Sequence, residues 1–153
     1  MKILTKTIIL LSSIVVFTSC GGSAEQKPTS ASATPPRTNT NDPLTNKGIG
    51  PVKELVLAEL NPAMAAEGEE IYKKLCSACH KPTEKFIGPA PKGILERRSP
   101  EWIMNMILNP EEMVKSDPIA KQLLIEANLA PMANQHLTEA HARAVLEYFR
   151  TIK

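Results

Sequence analysis

A chain of 153 residues has room for one domain and a short appendage, and leaves no space for a second large one. Aromatic residues are only 4% of it, one Trp, two Tyr and three Phe, so a core built from side chains alone would be small for the length and something else is expected to fill it. The formal net charge of +2 gives no case for a nucleic-acid partner, and it falls to zero if Lys2 and Lys6 are removed with a leader.

The first nineteen residues carry those two lysines, an apolar run from Ile8 to Phe17, and small polar residues up to Cys20. The run is about half the roughly 20 residues that a spanning helix needs, so it reads as an export signal rather than an anchor. Phe17-Thr18-Ser19-Cys20-Gly21 resembles the end of a bacterial lipoprotein signal. That resemblance implies cleavage before Cys20 and lipidation of its thiol; the plainer alternative is an ordinary cleaved signal with a spare cysteine. Lipidation also resolves the odd count of three cysteines, because it leaves Cys76 and Cys79 as a pair.

Residues 21–50 are rich in Ser, Thr, Pro, Asn and Gly and show no apolar periodicity. Such a composition buries too little surface to offset its ordering entropy, which predicts a flexible tether. As a coil it would reach roughly 30 Å root-mean-square. The expected organisation is therefore a signal peptide over 1–19, a lipidated Cys20 with its tether over 20–50, and a folded domain over 51–153. Within that domain charge is segregated: residues 71–98 carry a local +5, residues 50–70 a local −4 and residues 99–153 a local −2.

The domain reads as all-α, with three to five helices joined by loops. Asn61-Pro62 offers a cap and a proline at the first helical position, and Met64, Gly68, Ile71, Tyr72 and Leu75 recur at helical spacing up to Cys76. Four prolines and glycines between positions 88 and 93 break any long element there. Ser99-Pro100 opens a helix that stops at Asn109-Pro110, and Asp117-Pro118 opens another with Ile119, Leu123 and Leu124 on one side. Thr138 caps a last helix whose expected inner face is Ala140, Ala144, Val145, Tyr148 and Phe149. No alternating run of strand type is present.

Cys76-Ser77-Ala78-Cys79-His80 is the motif that carries chemistry. Structural zinc needs four ligands, and the only other histidines in the domain are His136 and His141, so that reading leaves His80 idle. A redox dithiol needs a strand before the motif, and here a helix precedes it. Covalent haem attachment uses all three residues: two thiols add to the vinyl groups and the following histidine is held under the iron. It also supplies the missing core, and export fits because in bacteria this attachment occurs outside the cytoplasm.

With the motif, the helix order and the length in place, the region from Pro51 to Lys153 resembles a monohaem class I cytochrome c. Such proteins have a glycine and an aromatic before the motif, matched by Gly68 and Tyr72, and a C-terminal aromatic, matched by Tyr148 or Phe149. Gly88-Pro89 matches a pair whose proline carbonyl accepts a bond from the proximal histidine. Pro131-Met132 matches the distal methionine, which makes His80 and Met132 the axial ligands of one haem c, with Cys76 and Cys79 its covalent attachments. Met104, Met106 and Met113 lie on helical stretches and are expected to pack. Trp102, Arg97 and Arg98 are candidates for pairing with the haem propionates, Trp102 alternatively being core, and Asn134 is a candidate donor to the Met132 sulfur. His136 and His141 read as surface residues.

The implied function is a single-electron carrier, not an enzyme, without a small-molecule substrate. Its expected place is a bacterial cell or outer membrane, lipid-anchored and facing the periplasm, between a quinol-oxidising complex and a terminal oxidase or anaerobic reductase. The lysines around the motif are a candidate docking face for an acidic redox partner. The alternative is a haem-based sensor or ligand-binding module in which Met132 leaves the iron.

Overall fold

A computed structural model describes residues 41–153. The expected signal peptide (1–19), Cys20 and the tether as far as residue 40 lie outside the described residues. Five α-helices, a single 3-10 turn at Ile94–Glu96 and no strand make up the described part: α1 (Pro62–Leu75), α2 (Pro100–Leu108), α3 (Pro110–Ser116), α4 (Pro118–Glu126) and α5 (Glu139–Phe149). None of these helices is long and apolar enough to cross a membrane.

The starts of the helices follow from capping chemistry. Four of the five begin with proline at the first position, where its missing N–H costs nothing. Asn61 Oδ1 accepts from the Ala63 and Met64 N–H groups at 3.1 Å, Ser99 Oγ from Trp102 N at 3.1 Å, Asp117 Oδ1 from Ala120 N at 2.8 Å and Thr138 Oγ1 from His141 N at 3.2 Å. The chain that stops at Asn109-Pro110 starts again at once as α3, because a proline that ends one helix is equally able to open the next.

Helices α1 and α5 cross with backbone against backbone. A Cβ on Gly68 would lie 1.9 Å from the Ala144 carbonyl oxygen, so only glycine allows this approach. One turn further on, Tyr72 packs its ring on Tyr148 at 5.2 Å and edge-on to Phe149 at 5.9 Å. The inner face of α5 is broader than its apolar periodicity predicts: Ala142, Leu146 and Glu147 are buried with Ala144 and Val145, while Ala140 is exposed.

The expected tether ends before residue 50. From Asp42 onward the chain packs against α2 and α3, held by hydrogen bonds and by single apolar residues such as Ile49 and Val52 rather than by a repeating apolar face, which is why no periodicity marks it. Ser99 Oγ donates to Asn46 O at 2.5 Å, and the buried Asn105 side chain accepts from Val52 N at 3.0 Å and donates to Lys47 O and Val52 O at 2.8 Å. Gly48 has a φ of +69°, and a Cβ on Gly50 would lie 2.3 Å from Asn105 Oδ1, so both glycines are required for this close approach.

Glu147, fully buried on α5, joins α1 to α5 by polar contacts. It accepts from Asn61 N at 2.7 Å, from Arg150 Nη1 at 2.8 Å and from Arg143 Nη1. Burial pushes its carboxyl up, but donation from Asn61, Arg143 and Arg150 outweighs this and holds it below the ordinary carboxylate value. The stabilisation is therefore full above the ordinary unfolded value of about 4.3 and is lost as pH falls through the lower folded value. Glu147→Gln is expected to cost about 2 kcal/mol at neutral pH and to flatten the acid side of the stability curve. Thermal unfolding followed from neutral to strongly acidic pH checks both effects.

Candidate metal centre

The last turn of α1 delivers the motif already wound. His80 N donates to Cys76 O at 2.9 Å and Cys79 N donates to the same oxygen at 3.1 Å, so the two thiols and the imidazole leave one compact turn. Tyr72 Oη donates to the His80 carbonyl at 2.5 Å, tying that turn to the aromatic cluster of the α1–α5 crossing. Burial first, then Tyr148 and Cys76, push the Tyr72 phenol up to about 12, so it stays a donor throughout the physiological range.

The imidazole is aimed by the loop that follows. His80 Nδ1 lies 2.8 Å from the Pro89 carbonyl, which can only accept, so Nδ1 carries the proton and Nε2 is left as the lone-pair nitrogen. Gly88 N donates to Cys79 O at 3.0 Å, laying the loop flat against the motif. A Cβ on Gly88 would fall 2.2 Å from His80 Cε1, so the ring occupies the space that any other residue would fill.

A cleft of about 260 Å³ opens beside this histidine, many times the volume one water needs, and its lining is mainly apolar. Cys76, Cys79 and His80 line it from the α1 side and Met132 from the loop before α5. The other methionines separate by location. Met104 and Met113 are buried in the core, whereas Met106 of α2 also lines the cleft.

Three of the weaker candidates already have hydrogen-bond partners within the protein. Trp102 lines the cleft with its ring, but its indole N–H donates to the buried Asp117 carboxylate at 3.1 Å and is not free for a propionate. The Arg97 guanidinium also lines the cleft, yet it is held by the carbonyls of Lys92, Ala90 and Gly93 at 2.8, 2.9 and 3.1 Å. Asn134 does not line the cleft; its Oδ1 accepts from His136 N at 2.8 Å in a local turn that leaves His136 at a φ of +52°. His136 and His141 are both exposed, as expected.

Arg98 is different. Its Nε is buried in the cleft wall without a partner, while Nη1 donates to Arg97 O and the guanidinium lies 5.4 Å over the Trp102 ring. An orphaned buried donor beside an apolar cleft calls for an anionic group of a ligand. Together with two thiols, a preoriented imidazole nitrogen and a thioether on the same cleft, this donor set fits a haem, for whose propionates Arg98 would be the nearby cation. Neither rival chemistry fits as well. Among the described residues no group of three or more His, Cys, Asp or Glu side chains gathers to hold a metal ion. Burial first, then Cys79, push the Cys76 thiol up to about 11, opposite to the lowering that a reactive dithiol requires.

The fold and the cleft define a small helical protein built around a covalently attached haem. Residues 65–153 match the family model of cytochrome c, and the chain belongs to that family, whose cofactor is haem c. A cytochrome c from Rhodothermus marinus is 43% identical, with a TM-score of 0.65 over 67% of this chain and 89% of its own. An engineered form of it, bound to a carbene intermediate, aligns over the same shares at a TM-score of 0.62, and also at 43% identity. A cytochrome c domain from a Pseudomonas putida protein is 29% identical, with a TM-score of 0.50 over 54% of this chain and 84% of its own. No curated protein sequence matches the chain.

Gly88→Ala tests the aim of the imidazole. The added methyl must turn His80 away from Pro89, so the holoprotein is expected to lose about 1–3 kcal/mol of stability and to show a perturbed proximal ligand. Denaturant unfolding and the low-spin visible spectrum measure the two effects separately.

Proposed function

We propose that the chain is a single-electron carrier of the outer face of a bacterial membrane, with His80 and Met132 as the axial iron ligands. The observation that carries this reading is that an imidazole nitrogen freed by Pro89 and a thioether from a separate loop line one apolar cleft together with both cysteines. Cys76 and Cys79 would hold the haem by thioether bonds. When bound, haem c supplies a one-electron couple at iron, and this chain's residues set its terms. Met132 would supply a soft neutral donor that favours the ferrous state, and would take the position that oxygen or peroxide needs. The apolar lining would exclude water, and Arg98 would place a cation beside a propionate.

The lipoprotein-like sequence ending at Cys20 supports a lipid anchor. A tether beyond it would let the domain reach partners across the periplasmic side, taking electrons from a quinol-oxidising complex and passing them to a terminal oxidase or an anaerobic reductase. The local +5 over residues 71–98 supports docking of an acidic redox partner there. Cys20→Ala is expected to leave the haem spectrum intact and to move the protein to the soluble fraction; membrane retention of the variant would argue against lipidation.

Met132→His should lower the reduction potential by at least ~100 mV, about 2 kcal/mol for one electron. Met132→Ala should let carbon monoxide bind the ferrous form. Met106→Ala should leave the sixth ligand in place although Met106 faces the same cleft, and Met104→Ala or Met113→Ala should cost about 2–5 kcal/mol of stability through a core cavity. Redox titrations beside carbon monoxide difference spectra decide among these. Binding of carbon monoxide by the unmodified ferrous protein would favour a sensor or ligand-binding module instead.

A further inference from the structure

We propose that Asp117, a buried carboxylate that does not itself line the cleft, lowers the reduction potential of the haem through the wall made by Trp102 and Arg98. This rests on the haem reading of the cleft. Asp117 is 2% exposed and has no salt bridge within 4.0 Å among the described residues. Among the described residues three donors reach its side chain: Trp102 Nε1 at 3.1 Å and Ala120 N at 2.8 Å to Oδ1, and Asn46 Nδ2 at 2.6 Å to Oδ2. The Asn46 amide is oriented by the network, because its Oδ1 accepts from Gly48 N at 2.8 Å and so turns Nδ2 toward Asp117. An ionised carboxylate is an acceptor only, and three neutral donors satisfy it without cancelling its charge.

The charge is close to the cleft wall. Burial first, then Arg97, push the Arg98 guanidinium down, whereas the fields of Asp117 and Glu126 push it up, so Asp117 acts on a residue that lines the cleft. Trp102 stands between them in contact with both, its N–H on Asp117 and its ring under Arg98. Ferric iron carries one more positive charge than ferrous iron. A fixed negative charge in a dry wall therefore favours the ferric state, and in a low-dielectric setting that preference is not screened away.

The test is a redox titration of the full-length holoprotein. Asp117→Asn keeps an acceptor for Trp102 and Ala120 and removes the charge. It should favour the ferrous state at least threefold, a rise of about 28 mV at 59 mV per tenfold change. Asp117→Ser, which keeps a capping oxygen, should raise the potential in the same direction. Trp102→Phe keeps the charge but removes the indole N–H, and should shift the potential by less than half as much while lowering the unfolding temperature. A potential unchanged in both Asp117 variants, an equal shift in Trp102→Phe, or failure of both Asp117 variants to hold haem would overturn the proposal and leave Asp117 a structural residue only. Absence of the methionine-to-iron band in the unmodified protein would instead overturn the assignment of the cleft.

Discussion

Gly68 lets α1 and α5 touch backbone to backbone, and the position of the site depends on that approach. A Cβ there would sit 1.9 Å from the Ala144 carbonyl oxygen, so the interhelical distance is set by the absence of a side chain. From this crossing Tyr72 is pressed between Tyr148 and Phe149, and its hydroxyl reaches the His80 carbonyl. Three of the six aromatic residues meet at the point where the helix ends and the motif begins. Placement of the imidazole is thereby coupled to packing of the two terminal helices.

The segment before α1 and its neighbours α2 and α4 are built on different physics. Asn46, Ser99, Asn105 and Asp117 are buried and mutually satisfied by hydrogen bonds that join the segment before α1 to α2 and α4. Such networks are strong when every member is paired and costly when one is not. Here the polar network stands in for the apolar mass that the composition lacks. It also fixes the ring of Trp102 in the cleft wall, so the same bonds that stabilise the fold shape the surroundings of the cofactor.

Several residues that share a type in the sequence play unlike parts. Arg97 and Arg98 are adjacent, but three backbone carbonyls occupy the first, and a buried Nε is left unpaired on the second. Met104 and Met106 are two apart on α2, and helical geometry turns one into the core and the other to the cleft. Such differences arise from which direction a side chain leaves its helix and which carbonyls happen to be free nearby. Neither is encoded in residue type.

The sequence by itself determined the helical class, the starts of α1, α2, α4 and α5, and the haem c cofactor, through the attachment motif at Cys76, Cys79 and His80. These rest on local physics: caps and prolines act within one turn, and attachment requires two thiols and an imidazole at fixed short spacing. It also pointed to the Pro89 carbonyl as the partner of His80, through family resemblance. The tertiary structure alone decided that residues 42–50 belong to the folded domain, that Trp102 spends its N–H on Asp117, and that Glu147 is buried with two arginines. Those outcomes depend on partners 71 residues apart in one case and 86 in another, joined by single hydrogen bonds that leave no period or motif in the chain. Only when the backbone closes on itself do such groups lose water, and only then does each need a partner.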